Sequence, residues 1–224
     1  MGRDLNSNEL TPQSDGTTSM TATNNTDLRV SPFCVPNESK SADRQWFFMR
    51  VSYGREVIVN DYLHTQNIQT FYPQQQQIVE TNGKRQMRTV SLIPNSLFVL
   101  STEQELKQYI GKAPIPFFHH FYVPDKDSNG QPIGTGRKPL VIPDNQMENF
   151  ITWCTADGKD KLLVNTVFQF KNQDLVRVIH GPFTGFTGHV VRYKGQQRVG
   201  VNIDGVGFIT TTYIPKGFLE KINP

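Results

Sequence analysis

Several stretches of the chain carry residue types at spacings that could do chemistry. Asp125-Lys126-Asp127-Ser128-Asn129-Gly130 has the spaced oxygen donors that open a calcium loop. The twelfth position is Gly136 rather than a bidentate Glu, and no helix precedes it, so the stretch reads as a hairpin loop. His119 and His120 are adjacent, and on a strand neighbours point to opposite faces, so the pair cannot chelate one metal. Gly134-x-Gly136 lacks the further glycines and the helix start of a phosphate loop. Cys154 falls on the apolar stripe of a predicted helix, where a free thiol behaves as a small hydrophobe. No motif asks for catalysis, a metal or a cofactor, and the chain reads as a non-enzyme. What remains is positive charge. Lys84, Arg85 and Arg88 surround a predicted hairpin tip, with Arg50 and Arg55 near an earlier strand. Each could meet nucleic-acid phosphate as a salt-dependent, sequence-blind contact, although solvated surface charge is the plainer explanation of any one.

These residues need elements to hold them. The 224 residues suffice for one large or two small domains. Net charge is +3, but residues 1–43 hold three Lys/Arg against six Asp/Glu and residues 171–224 hold seven against three, which makes the C-terminal part the basic one. Cys34 and Cys154 offer neither metal spacing nor a disulfide framework, which fits a reducing cytoplasm. No apolar run reaches the ~18 residues of a membrane span and the N-terminus has no secretion signal. Residues 1–43, rich in Ser, Thr and Asn, cannot bury enough surface to offset their ordering entropy and are predicted to be a disordered leader, with a transient partner role at most for Leu28 to Val35.

From Arg44 the texture changes. Trp46 to Tyr53 predicts a strand and Arg55 to Gln66 a helix with Val57, Ile58, Tyr62 and Leu63 on its apolar side. Ile68 to Tyr72 follows as a strand, and Gln74 to Gln77 as a solvated, loosely ordered run. Asn82-Gly83 then marks a hairpin between Ile78–Glu80 and Met87–Val90. Ser91 to Leu100 predicts a strand at an edge or bulged at Pro94. Thr102 and Glu105 form a capping box for a short helix, Phe117 to Val123 is a strand, and Asp144 starts a helix with Met147, Phe150, Ile151 and Cys154 on one side. Helices on a mostly antiparallel sheet are the architecture this order implies, with a first domain over 44–157 and a linker over 158–172. The remaining 173–224 is strand-rich. Val199, Val201 and Ile203 alternate with Gly200 and Asn202, as a half-buried strand requires.

Within it, Val176, Val178, Gly181-Pro182-Phe183, Gly185, Gly188 and Val190 occupy the positions of the KOW motif, which this stretch resembles. The Gly and Pro positions build a rigid short turn that projects Phe183 and Phe186. The first domain in turn resembles the N-terminal domain of the NusG family. The matching residues are Trp46-Phe47, Gly54-x-Glu56, Leu92 to Val99 and Val141-Ile142-Pro143-Asp144. More narrowly, WFFMRVSYGRE and KPLVIPDNQMENF are similar to the UpxY branch of Bacteroides-type paralogues associated with capsular polysaccharide operons.

The resemblance implies an α+β fold, an N-terminal α/β sandwich followed by a small all-β KOW barrel. It implies a transcription elongation or antitermination factor, cytoplasmic and monomeric, that docks on the clamp helices of RNA polymerase near upstream or non-template DNA. The docking residues would be Tyr53, Ile93, Leu97 and Phe98, although alternation puts Leu97 and Phe98 on opposite faces. Ser96 stands where many relatives have Tyr. Phe183, Phe186 and Ile203 occupy positions through which relatives bind ribosomal protein S10 or Rho. Asp204 replaces an aromatic residue there, so a protein partner is implied without its identity. The alternative is a KOW-type protein that binds RNA or the ribosome directly.

Overall fold

The computed structural model describes residues 28–30, 43–81, 84–127, 130–158, 160–170 and 173–222. The chain divides into two compact units, Thr26–Met147 and a second that contains Glu148–Pro224. In chain order the first unit holds β1 (Leu28–Val30), β2 (Gln45–Val51), α1 (Glu56–Thr65), β3 (Gln69–Phe71), β4 (Pro73–Thr81) and β5 (Lys84–Ser91). It continues with β6 (Ser96–Ser101), α2 (Glu103–Leu106), β7 (Phe118–His120), β8 (Tyr122–Lys126), β9 (Pro132–Pro139), β10 (Val141–Ile142) and the start of α3 (Asp144–Thr155).

The centre of this unit is an antiparallel sheet in the order β10-β2-β6-β3, with β7 on the free part of β2. Strand β2 carries a nearly unbroken apolar run because both of its faces are covered: residues 46–49 and 51 are all buried. Phe47, Met49, Val51, Leu97 and Val99 meet Val59 and Leu63 of α1, Leu106 of α2, and Ile115, Phe117 and Phe118. Each such side chain contributes about 1.5–3 kcal/mol by leaving water, so this cluster is what holds the helices to the sheet. Thr102 caps α2 as its motif implies, its hydroxyl accepting the Glu105 N–H at 3.1 Å.

Four local expectations change. Strand β6 is interior, between β2 and β3, and Pro94 lies in the turn before it, so the missing N–H breaks no ladder. The glutamine run is ordered as part of β4, which pairs with all of β5; the Asn82-Gly83 tip lies outside the described residues. Helix α1 buries Glu56, Val59, Asn60 and Leu63, and so turns Val57 and Ile58 outward. In the leader, residues 28–30 are β1, paired antiparallel with β4 from Pro73 to Gln75; residues 31–42, with Cys34, lie outside the described ones.

The second unit contains most of α3, then β11 (Leu162–Val164), β12 (Leu175–Val178), β13 (Thr187–Tyr193), β14 (Gln196–Ile203), β15 (Gly207–Thr210) and β16 (Leu219–Lys221). The strands form one antiparallel sheet, β11-β15-β14-β13-β12-β16. Its outer strands β11 and β16 do not pair with each other, so the implied closed barrel is not found. Strand β11 joins this sheet from within the stretch read as linker. Helix α3 belongs here too: the Asn149 amide bonds both the N–H and C=O of Thr187 at 2.8 Å, and Trp153 Nε1 donates to Thr210 O at 2.8 Å.

The motif glycines acquire reasons. Gly181 and Gly185 adopt φ of 88° and 91°, the left-handed region that favours glycine. Gly188 lets two backbones approach, because a Cβ there would lie 2.5 Å from the Gly200 carbonyl oxygen. Gly188→Ala must force β13 from β14 and is expected to cost about 1–3 kcal/mol in denaturant unfolding, the usual range for overpacking; an unchanged midpoint would show that the strands separate freely.

Candidate functional site

The most constrained exposed feature of the first unit is the corner between β2 and α1. The chain leaves β2 with Tyr53 at φ 67°, a conformation uncommon for a bulky residue, and the ring is 84% exposed. The corner is held by Asn95, itself left-handed at φ 60°. Its carbonyl accepts the Val51 N–H at 2.9 Å, its side-chain oxygen accepts the Gly54 N–H at 3.4 Å, and its own N–H donates to Glu56 Oε1 at 2.6 Å. Glu56 is 4% exposed, so this buried carboxylate fastens the Leu92–Asn95 turn to the first turn of α1. The Arg55 guanidinium lies over the Phe117 ring at 4.8 Å and near the Tyr53 ring at 5.9 Å, which keeps the Arg close to the aromatic surface.

The expected docking set divides here. Tyr53 is exposed and Ile93 is half-buried. Leu97 and Phe98 have no exposed surface. Leu97 lies in the cluster with α1, and Phe98, on the opposite face of β6, meets Phe48 and Phe71 with ring centres 5.1 and 6.0 Å away. Neither can form a surface, because β6 is interior rather than at an edge. Ser96 is also buried, its hydroxyl donating to Pro94 O at 3.3 Å. Val57 at 50% and Ile58 at 56% are the exposed apolar residues of α1, although their spacing groups them with Tyr62 and Leu63. Two apolar stripes overlap in this short helix, and the signal that decides between them is Glu56, whose buried position sets the helix phase.

The expected phosphate contacts are all exposed: Arg50 and Arg55 in the first unit's sheet and corner, Lys84, Arg85 and Arg88 on β5. Only the last three are brought together. Ribbon β4–β5 is the long arm of a sheet that β1 thickens only at its base.

Residues 44–151 match the family model described as transcription termination factor nusG. Residues 44–151 are similar to a NusG domain. The match supports membership of the NusG family and suggests a transcription-related factor. No curated protein matches the sequence. The NusG domain therefore spans the braced corner, the β4–β5 ribbon and most of α3.

C-terminal to the NusG domain, Phe183 and Phe186 are buried and meet edge to face at 6.3 Å, and Ile203 is buried as well. The loop turns its rings inward, so none of the three presents a binding surface here. Among the described residues, the exposed large apolar groups of this unit are Val167, Ile179, Tyr213 and Phe218, with the His180 ring edge-on to Phe218 at 5.5 Å. Two cations, the half-buried Lys161 and the buried Arg198, serve the interior. Lys161 Nζ donates to Trp153 O and Ala156 O, both at 2.7 Å, closing the end of α3, and burial pushes its pKa down to about 8. Arg198 donates to the carbonyls of Asp160 and Thr211 and lies over the Tyr193 ring at 5.1 Å.

No group of His, Cys, Asp and Glu among the described residues could hold a metal ion. No helix among them is long and apolar enough to cross a membrane. His119 is exposed and His120 buried, as strand alternation requires, and neither ring nitrogen of His120 has a partner. Burial pushes the His120 pKa below its ordinary value. A depressed folded-state pKa contributes stability above pH ~6.5 that is lost as pH falls through the folded value. His120→Phe is therefore expected to flatten the acid side of the stability profile below pH ~6.5 relative to the wild type, as read by denaturant unfolding.

Removing the brace makes a second test. Glu56→Ala removes the buried carboxylate that accepts the Asn95 N–H and is expected to cost about 1.5–3 kcal/mol, the range for a hydrogen bond to a charged group, whereas Glu56→Gln, which keeps an acceptor, costs less. Equal losses in the two variants would mean that the hydrogen bond is not what matters.

Proposed function

We propose that the protein is a regulator of transcript elongation of the antitermination type, which docks on a helical surface of RNA polymerase through its NusG domain. The observation that carries this reading is Tyr53. A large aromatic side chain stands 84% exposed in a left-handed backbone conformation, at a corner whose turn is fastened by the buried Glu56 carboxylate; Val57 and Ile58 are exposed on the helix that follows, and Ile93 is half-buried in that turn. Apolar surface held out at such cost in strain and solvation fits a partner, not the core. An amphipathic helix of the polymerase clamp is the kind of partner that covers a corner of this size. Lys84, Arg85 and Arg88, with Arg50 and Arg55, then supply salt-dependent contacts to upstream or non-template DNA.

The C-terminal unit, a KOW-like sheet with the glycines of that motif, is the natural site for a second protein. Since Phe183, Phe186 and Ile203 are buried, the apolar surface offered is drawn from Val167, Ile179, Tyr213 and Phe218. Ribosomal protein S10 and Rho are the partners that the resemblance implies. The likeness of residues 46–56 and 138–150 to the UpxY branch supports a specialised factor serving a polysaccharide operon.

The test is co-elution with RNA polymerase from the source cell, together with terminator read-through in vitro. The wild type is expected to co-elute and to raise read-through. Tyr53→Ala and Ile58→Asp should each weaken binding by roughly 30-fold, the scale of a loss of ~2 kcal/mol at a hot spot, with stability unchanged. Absence of co-elution together with unaltered read-through by the wild type overturns the reading.

A further inference from the structure

We propose that the β4–β5 ribbon reads base edges in the major groove of double-stranded DNA through the face that carries Gln77, Gln86 and Arg88. This goes beyond sequence-blind phosphate contact, and it rests on the reading of the first unit as part of a transcription factor.

The register sorts the ribbon into two unlike faces. Directly paired residues share a face. Gln76 pairs with Thr89, Ile78 with Met87 and Glu80 with Arg85. Their side chains confirm the side: Gln76 Nε2 donates to Thr89 Oγ1 at 2.9 Å, and Arg85 Nε lies 3.8 Å from a Glu80 carboxylate oxygen. That face holds the acid of the ribbon and an exposed apolar pair, Ile78 and Met87. The other face pairs Gln75 with Val90, Gln77 with Arg88 and Val79 with Gln86, and ends on Lys84. It carries no acid among the described residues, and Gln77, Gln86, Arg88 and Lys84 are all exposed.

That composition suits base edges. A Gln amide can bond adenine N6 and N7 together, and an Arg guanidinium can bond guanine O6 and N7. Same-face rungs of a strand recur every ~6.8 Å, which is two base-pair steps of ~3.4 Å. The Gln77–Arg88 rung and the Gln86 rung would thus address bases two steps apart. The B-form major groove, about 12 Å wide, admits a two-stranded ribbon, whereas the deep, narrow major groove of A-form RNA does not. Strand β1 leaves the ribbon two-stranded beyond Gln75. Neither Pro73–Thr81 nor Lys84–Ser91 contains an aromatic residue, so the ribbon has no platform on which unpaired bases could stack. Lys84 and Arg85 are left for phosphate; the exposed Arg85–Glu80 pair is too weak to prevent this.

The test is selection of the full-length protein on a randomised DNA duplex pool, followed by anisotropy titrations on the enriched and scrambled duplexes across a salt series. The wild type should enrich a short motif. Arg88→Ala and Gln77→Ala should each cost roughly tenfold in discrimination at one position. Lys84→Ala should weaken enriched and scrambled duplexes alike and reduce the salt slope by about 0.9. Glu80→Gln, on the opposite face, should leave the preference intact. All four positions are exposed, and unchanged unfolding curves confirm the fold of each variant. Enrichment of no motif, equal and uniform losses for Arg88→Ala and Lys84→Ala, or competition by single-stranded DNA or duplex RNA as strong as by duplex DNA each overturns the proposal. Polymerase co-elution separates the two readings. Its loss in the wild type with duplex selectivity kept sinks the docking surface alone, and its retention without selectivity sinks base readout alone.

Discussion

Asn95 in its left-handed turn, tied at three points to the β2–α1 corner, is the constraint on which the exposed face of the NusG domain depends. Two non-glycine residues, Asn95 and Tyr53, sit at positive φ on either side of these bonds. Each such residue costs of order 1 kcal/mol in local strain. The Glu56 carboxylate, itself buried, offsets that cost with a short hydrogen bond. Because Glu56 must face inward to reach Asn95, the phase of α1 is fixed, Val59 and Leu63 fill the core, and Val57 and Ile58 are left outside. A polar contact therefore decides where the apolar surface lies.

The second unit obeys a different constraint, the approach of backbones. Gly188 sits against Gly200, and Gly200 in turn leaves room for the Phe208 ring, which an added Cβ would meet at 2.5 Å. Thin rungs of this kind let backbone and ring approach closely, and Phe183 and Phe186 are buried in the same unit. The carbonyls at the end of α3 and around Thr211 accept hydrogen bonds from Lys161 and Arg198. The unit thus relies on small residues and on cations that serve its interior, and its exposed apolar surface is confined to a few loop positions.

Much of this was legible in the chain. The β2 run, the hairpin around Asn82-Gly83, the Thr102 cap and the Asp144 start of α3 are local signals, and local chemistry decides them. What escaped reading depends on long-range pairing. Pro94 suggested an edge, yet the strand begins after it and is covered on both sides. The glutamines of β4 have no apolar period, and they are ordered because β5 pairs with them along their whole length. Phe98, Phe183, Phe186 and Ile203 were read as surface because motif position says nothing about which way a ring turns. Leu162 to Val164 looked like linker because three residues give no periodicity, and only pairing with β15 makes them a strand. Of the exposed residues at the candidate site, Tyr53 and the basic residues of β5 are ones the sequence singles out, while the Glu56–Asn95 bond spans 39 residues and leaves no local trace.

Docking through the braced corner is tested most directly by placing a photoreactive phenylalanine analogue at position 53, or at position 121 as a control in the same unit, in the full chain bound to RNA polymerase. The corner predicts a covalent adduct to the polymerase from position 53 and none from position 121. Stable polymerase binding with an adduct from 121 and none from 53 would contradict it.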